Sequence, residues 1–195
     1  MNPKIKDTGL DSQTLVDLTL LHNSINFLTG EINEESVTNI IKWIVYENTI
    51  SQDSNKPLTL YINSMGGDLY EAFALIDTMT GSARPIRTIA LGSIMSSGFL
   101  IFISGRKGQR YITQNCGIMC HQFSDSNEGT KYHDIKASVK EADYCNERML
   151  NIIKNASGMN NTIIKKKLLN SSDVYLKPQE LFEMGLVDKI LDKRA

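Results

Sequence analysis

The stretch IRTIALGSIMSSGFLIFISG, residues 86–105, contains the signals of a strand, a turn and a helix in that order. Apolar residues in Ile86–Leu91 predict a buried strand, and Gly92 predicts the turn that ends it. The apolar run that follows predicts a buried helix over Ser96–Ile103. A strand that enters a helix through a short polar turn is typical of α/β folds, so this stretch decides the fold class.

Strand and helix patterns alternate on both sides of this stretch. Short apolar runs bounded by turn residues predict further strands at Ile25–Leu28, Leu58–Ile62, Arg110–Ile112, Gly117–Cys120 and Leu186–Leu191. Apolar residues at helical spacing predict helices from Asn33, over Leu69–Met79, over residues 133–156, around Lys165–Lys167 and from Pro178. The alternation predicts an α/β domain with a largely parallel sheet.

Composition excludes several classes of protein. The chain has 195 residues, of which 41% are apolar and 22% charged, as in an ordinary globular domain. A net charge of -1 supplies no overall field for nucleic acid or an anionic membrane. The longest apolar stretch, Phe99–Ile103, is too short to span a bilayer, and residues 1–11 lack the apolar core of a signal peptide. We therefore predict a cytoplasmic protein that binds neither nucleic acid nor membrane.

The cysteines Cys116, Cys120 and Cys145 give no sign of a metal or redox site. Their number is odd, no pair has CxxC spacing, and the chain has only three histidines. We predict three reduced thiols and no bound metal.

Two segments flank the predicted core. Residues 1–17 lack a clear apolar period and predict a mobile N-terminal arm, which leaves residues 18–195 as a single domain. The segment 122–156 combines a polar loop, residues 122–131, with the long helical pattern. Its apolar stripe must be buried against the core or against another subunit; the stripe comprises Ile135, Val139, Ala142, Asn146, Met149 and Ile153.

Two patterns at the ends of predicted strands could carry chemistry. The glycine pair in Met65–Gly67 lies between a strand and a helix. Its bare backbone N–H groups can hold an oxyanion or a phosphate, or the pair can simply turn the chain. Ser93, Ser96 and Ser97 open the buried helix, where one of them could be a nucleophile or all could be caps.

His121 and Asp173 are candidates for the other members of a catalytic triad. His121 directly follows the strand that ends at Cys120, and Asp173 precedes a strand-like segment. Each of them alone is typical of a polar strand end or a cap. Their separation along the chain is no objection, because triads assemble in space. The sequence has no Walker A motif, so work that needs ATP requires a partner, and no cofactor is predicted in this chain.

Taken together, these segments resemble the ClpP family, the proteolytic subunits of the Clp protease. The resemblance runs from about Asp17 to Lys193, with several motifs in order. They are INFLTGEI at 25–32, LTLYINSMGG at 58–67, GSIMSSGFLIFISGRKGQRYI at 92–112, IMCHQ at 118–122 and YLKPQELFEMGLVDKI at 175–190. The resemblance implies a ClpP/crotonase-like α/β fold with repeated strand–helix units and a protruding "handle" helix.

The resemblance also assigns roles to the candidate residues. It implies that Ser96 is the nucleophile, His121 the general base and Asp173 the third member of the triad. The backbone N–H groups of Gly67 and Ser97 would form the oxyanion hole. These assignments agree with the chemistry of Ser-His-Asp hydrolysis.

Assembly and partners are likewise implied by the resemblance. The handle, 122–156, would stack two heptameric rings around a chamber, and Gln122 and Phe123 would lie beside the substrate. Unfolded proteins would be delivered by a hexameric AAA+ unfoldase that hydrolyses ATP and docks in apolar clefts near Tyr61. This sequence departs from the family pattern at Met65 and Phe123, where proline is usual, and at Ser172, where arginine is frequent.

The function predicted is therefore that of a serine endopeptidase subunit in a self-compartmentalising protease. One alternative is a catalytically silent subunit that assembles with an active paralogue. Another is a crotonase-like acyl-CoA enzyme, which shares glycine-rich oxyanion turns but needs no triad.

Overall fold

A computed structural model describes residues 10–50, 55–124 and 131–191. Its helices are α1 Ser12–His22, α2 Glu34–Ile50, α3 Leu69–Gly81, α4 Ser97–Ile103, α5 Tyr132–Ser157, α6 Asn161–Lys167 and α7 Pro178–Glu183. Its strands are β1 Ile25–Ile32, β2 Leu58–Gly67, β3 Ile86–Met95, β4 Arg110–Thr113, β5 Gly117–Cys120, β6 Val174–Leu176 and β7 Lys189–Leu191. Helices and strands alternate through most of the chain, as predicted.

The strands form one mixed sheet that is mostly parallel. Along its main path the order is β1-β2-β3-β4-β7, and all neighbours on that path are parallel. Strand β3 has two neighbours on one side, because Thr88–Ala90 pairs with β4 while Ser93–Met95 pairs with β5. Strand β6 then adds to β5 in the antiparallel direction. The predicted α/β fold with a largely parallel sheet is confirmed.

The core lies between the sheet and the helices that cross it. All seven residues of α4 are buried, as the apolar run Phe99–Ile103 predicted. This helix packs against β2 and β3, which supply the fully buried Leu60 and Ile94. Helix α2 packs against β1 and α3. Burial of a helix on all sides fixes its position, so the N-terminal end of α4 is held at the edge of the sheet.

Two strands continue further than the sequence predicted. Residues 63–67, which lie beyond the strand predicted at Leu58–Ile62, complete β2, because Gly66 pairs with Glu31 and Gly67 pairs with Ile32 after a shift in register. Strand β3 likewise runs past the turn predicted at Gly92 as far as Met95. Gly66 and Gly92 have positive φ angles, so the chain bends locally while the ladder of backbone pairs resumes.

Helix α1 has no counterpart among the predicted elements. None of its residues is buried, so its side chains show no apolar face for a sequence pattern to reveal. Asp11 caps its first turn by accepting hydrogen bonds from the backbone N–H groups of Gln13 and Thr14. Residues 1–9 of the predicted arm and residues 125–130 of the predicted loop lie outside the described residues, so the arm's mobility stays a prediction.

The apolar stripe of α5 is divided between the core and the surface. Met149 and Ile153 are buried, whereas Ile135 is 49% exposed and Val139 is 56% exposed. The C-terminal end of the helix is anchored, because the buried Arg110 donates a hydrogen bond to the Ala156 carbonyl. The first half of α5 therefore presents an apolar face that no described part of this chain covers.

Arg110 also ties α5 to the last strand through Asp188. Its guanidinium donates to both carboxylate oxygens at 2.8–2.9 Å and to the Gly185 carbonyl at 2.7 Å. Burial alone would raise the pKa of Asp188, but the hydrogen bonds from Arg110 hold that pKa below its usual value. Within the described ranges, no helix is both long and apolar enough to cross a membrane.

Candidate active site

The forked pairing of β3 brings Ser96 and His121 to the same edge of the sheet. Ser96 directly follows β3, and His121 directly follows β5. These strands are parallel neighbours with Met95 opposite Met119, and the Ser96 N–H donates to the Met119 carbonyl at 2.9 Å. Parallel strands end at the same edge, so residues that follow them meet there. The Ser96 Oγ lies 2.8 Å from the His121 Nε2.

The backbone of Ser96 is strained in a manner that the sequence did not predict. Its φ is 52° and its ψ is −125°, an unusual conformation for a residue with a side chain. Such a conformation costs on the order of 1–3 kcal/mol and is found where function requires it. Ser96 thus occupies a sharp strand-to-helix turn that exposes its hydroxyl, although the sequence lacks the GxSxG signature of such turns.

The three candidate serines have different partners. The Ser93 Oγ donates to the Asn63 side chain at 3.2 Å, and the buried Ser97 donates to the Gly67 carbonyl at 3.2 Å. Neither shares a hydrogen bond with His121 within the described residues. Ser96 makes no side-chain cap for α4, so its hydroxyl is left to the histidine.

Gly66 makes room for the strained serine. A Cβ atom at Gly66 would lie 2.7 Å from the Ser96 Cβ and 2.9 Å from the Met95 carbonyl oxygen, and the φ of Gly66 is +103°. Ser64 holds the same turn, because its Oγ accepts from the Gly66 N–H at 3.1 Å and donates to the Gly30 carbonyl at 2.5 Å. The glycine turn is therefore packed directly against the serine turn.

The predicted oxyanion donors belong to segments that are joined by a hydrogen bond. Gly67 ends β2, and Ser97 begins α4. The hydroxyl of Ser97 donates to the Gly67 carbonyl, so a hydrogen bond links the two segments. A Cβ atom at Gly67 would lie 2.3 Å from the Ile32 carbonyl oxygen, which requires glycine at this position.

Asp173 directly precedes β6, the strand that pairs with β5, but it shares no hydrogen bond with His121 within the described residues. In the pairing of β6 with β5, Val174 is opposite Cys120, and this is the last pair before Asp173 and His121. The carboxylate is exposed, and no hydrogen bond joins it to His121 in the part of the chain that the structure describes. The His121 Nδ1 instead contacts the backbone carbonyl of Gln122. The structure therefore brings two of the three predicted triad members into contact.

A cleft of about 420 Å³ opens over the serine and the histidine. Phe123, predicted to lie beside the substrate, lines this cleft, whereas Gln122 lines a neighbouring polar cleft. The other apolar walls come from Leu69, Tyr70 and Met149. Larger clefts occur elsewhere, including one of about 750 Å³ beside α1, but that one contains neither Ser96 nor His121.

The buried thiols are unsuited to nucleophilic chemistry at this site. Cys120 precedes His121, but burial raises the pKa of its thiol to about 12, which keeps it protonated. Cys116 is affected in the same way, and all three cysteines are free and buried. In the described ranges, no group of three histidine, cysteine or acidic side chains is arranged to hold a metal ion.

Several residues of the site escaped the sequence reasoning. Tyr70 and Met149 line the cleft, Ser64 holds the glycine turn, and Asn146 bonds to the backbone beside Phe123. Met149 and Asn146 were recognised only as members of the apolar stripe of α5. Helical spacing shows which face of a helix is buried but not which neighbour covers it.

The sheet and the site together define an α/β protein that presents a serine–histidine pair and a glycine turn at one sheet edge. Comparison with known proteins agrees with that description, since the sequence profile of the family described as Clp protease matches residues 10–194. The chain therefore belongs to the Clp protease family, and it is a protease subunit of the Clp type.

Two similar proteins span almost the same length. The chain is 29% identical over 196 aligned residues to "ATP-dependent Clp protease proteolytic subunit 1" of Prochlorococcus marinus strain MIT 9312, covering 100% of this chain and 98% of that protein. It is also 29% identical to the protein of the same name from Prochlorococcus marinus subsp. pastoris, covering 97% of that protein. These findings favour neither a silent subunit nor an acyl-CoA enzyme.

Proposed function

We propose that this chain is a serine endopeptidase subunit that hydrolyses peptide bonds of unfolded proteins inside a self-compartmentalising protease. The observation that carries the proposal is the 2.8 Å hydrogen bond between the Ser96 Oγ and the His121 Nε2 at the strained strand-to-helix turn. A serine and a histidine within hydrogen-bond reach form the core of an activated nucleophile. Family membership supports proteolysis as the reaction.

The reaction begins when the His121 Nε2 accepts the proton of the Ser96 hydroxyl. The Ser96 Oγ then attacks the carbonyl carbon of the substrate, and a tetrahedral oxyanion forms. His121 returns the proton to the leaving amine, which departs and leaves an acyl-enzyme. A water molecule, deprotonated by His121, hydrolyses that ester and restores the serine.

Two further groups complete the proposed machinery. The backbone N–H groups of Gly67 and Ser97 would donate to the oxyanion, and a donor of this kind contributes about 3–4 kcal/mol to transition-state stabilisation. Asp173 is the proposed third member of the triad. The pairing of β5 and β6 supports it, because a turn of the carboxylate toward the His121 Nδ1 would stabilise the imidazolium.

Assembly would enclose this site and control access to it. We propose stacked heptameric rings, with an AAA+ unfoldase as the partner that consumes ATP and delivers unfolded chains. The exposed apolar residues Ile135 and Val139 support a subunit contact along the first half of α5. Phe27 and Tyr61 stack with ring centroids 5.0 Å apart, which supports an apolar docking surface at Tyr61.

The proposal is tested by treating the assembled protein with a fluorophosphonate probe and locating the adduct by peptide mass spectrometry. Such probes react with activated serines and not with helix caps. We expect a single adduct on Ser96, complete loss of labelling in Ser96→Ala, and normal labelling in Ser93→Ala, the matched control. An adduct on Ser93 or Ser97, or no adduct on the assembled protein, would contradict the proposal.

Changing the exposed face of α5 is expected to separate the rings. In Val139→Lys, the ammonium group enters a contact that the apolar side chain now stabilises, and burying an unpaired charge there is costly. We expect the particle mass, measured by analytical ultracentrifugation, to fall by about half. Ala137→Lys places the same charge on another face of the helix and should leave the mass unchanged. Unchanged mass in Val139→Lys would refute this contact.

A further inference from the structure

One wall of the cleft over the serine and the histidine carries a negative charge. Asp68 lines this cleft, its side chain is exposed, and it directly follows Gly67, the proposed oxyanion donor. Among the described residues that line the cleft, Asp68 is the only one with a carboxylate, and none has an ammonium or guanidinium group. A substrate whose carbonyl is bound by Gly67 and attacked by Ser96 therefore lies beside this charge.

The first turn of α3 holds the carboxylate of Asp68 in place. Its Oδ1 accepts hydrogen bonds from the backbone N–H groups of Tyr70 at 2.7 Å and Glu71 at 3.1 Å. The backbone N–H of Asp68 also donates to the Ile32 carbonyl at 2.7 Å, so the main chain is held as well. The described residues donate no hydrogen bond to the Oδ2, which leaves this oxygen able to accept from a ligand.

No positive charge in the described residues contacts this carboxylate. Neither of the ion pairs in those residues includes Asp68. Tyr70, the next wall residue but one, donates its hydroxyl hydrogen bond to Glu141 of α5, so a second carboxylate contacts this wall. Arg148 of α5 has its guanidinium 3.6 Å over the Phe73 ring and does not line the cleft. The charge at the cleft is therefore left for a ligand to meet.

We infer that Asp68 is a specificity residue, which favours substrates that have a lysine or arginine side chain next to the cleaved bond. The cationic group binds the free Oδ2, and an acidic side chain at the same place is repelled. The apolar walls formed by Leu69, Tyr70 and Met149 cover the methylene stem of the basic side chain. This inference rests on the proposed function and deepens it, because it names the class of substrate that the proposed peptidase prefers.

The charge of Asp68 can be separated from its role as the cap of α3. A cap needs a side-chain oxygen but no charge, and asparagine and serine are as favourable as aspartate at this position. Asp68→Asn and Asp68→Ser therefore keep the cap and remove the charge. The matched control is Asp77→Asn, which removes the charge of an exposed side chain on the same helix, away from the cleft.

The first measurement is the kcat/KM of the assembled protein for peptides that differ at one position beside the cleaved bond. This position holds lysine, glutamine or glutamate, and it is placed in turn on each side of the bond. At the more sensitive side, we expect the wild type to prefer lysine over glutamate by about tenfold, since an exposed attraction and an exposed repulsion each contribute about threefold. Glutamine should lie between them.

The preference should disappear when the charge is removed or screened. We expect lysine and glutamate peptides to differ by no more than about twofold in Asp68→Asn and Asp68→Ser, and still by about tenfold in Asp77→Asn. In the wild type, about 0.5 M salt should reduce the preference in the same way. Equal rates for the two peptides in the wild type, or a lysine preference that survives in Asp68→Asn, would overturn the inference.

Binding to Ser96→Ala separates this inference from the proposed function. This variant has no nucleophile at position 96, so fluorescence anisotropy gives the Kd of the same peptides without hydrolysis. We expect the lysine peptide to bind about tenfold more tightly than the glutamate peptide, and the two to bind equally when Asp68→Asn is added. Equal Kd values in Ser96→Ala would overturn the inference. The expected difference in Kd, with no hydrolysis by the wild type, would instead contradict the proposed function alone.

Discussion

Replacing His121 by alanine is expected to lower peptide hydrolysis by about 10³- to 10⁶-fold, the range seen when a serine–histidine pair loses its base. The Ser96 hydroxyl, now 2.8 Å from the His121 Nε2, would have no acceptor for its proton. The measurement is the rate of cleavage of a short fluorogenic peptide by the assembled protein. We expect short peptides to enter the proposed chamber unaided, so this assay requires no unfoldase.

The double variant Ser96→Ala, His121→Ala tests whether the two residues act as one unit. Groups that act as one unit are not additive, so the double variant should be no slower than the slower single variant. The control is His22→Ala, which removes an exposed histidine at the end of α1. Additive losses in the double variant, or an active His121→Ala, would show that Ser96 reacts without this base.

Gly66→Ala is expected to reduce peptide hydrolysis by at least about 100-fold while the protein still assembles. The new Cβ would lie 2.7 Å from the Ser96 Cβ and 2.9 Å from the Met95 carbonyl, so the serine turn must move. Alanine is also strained at a φ of +103°. A displacement of about 1 Å at a nucleophile is sufficient for a loss of this size.

A second glycine provides the matched control for this substitution. At Gly81, the last residue of α3, a Cβ atom would meet no neighbouring atom within 4 Å, and the φ angle is not positive. Gly81→Ala should therefore keep full activity and raise the free energy of unfolding by up to about 1 kcal/mol, since alanine restricts the unfolded chain. Full peptidase activity in Gly66→Ala would show that the serine turn does not need the space that this glycine leaves.

Local patterns were sufficient for most of the fold. Short apolar runs between turn residues predicted the strands β2 to β5, and helical periodicity predicted α2 and α5, each of which has one face that must leave water. Periodicity failed at α1, which buries no residue and so has no such face. The strand predicted for β2 ended at Ile62, because glycines usually signal turns, yet here Gly66 and Gly67 pair with β1.

For the site, the sequence identified residue types and their places at strand ends. Ser96, His121 and Gly67 were selected because polar or glycine residues followed apolar strands, with roles supplied by resemblance to a family. Which strands are neighbours could not be predicted, and only the pairing of β3 with β5 beyond Gly92 makes His121 meet Ser96.

The sequence by itself determined the alternation of elements, the burial of α4, and which residues are able to react. The tertiary structure alone decided the strain at Ser96, the space left by Gly66, the contact of His121 with the Gln122 carbonyl in place of Asp173, and the reach of Asn146 to Phe123. The physical reason is that burial and backbone preference are properties of neighbouring residues. Register, close approach and hydrogen-bond partners depend instead on contacts between segments far apart in the chain, which arise only when the whole core packs.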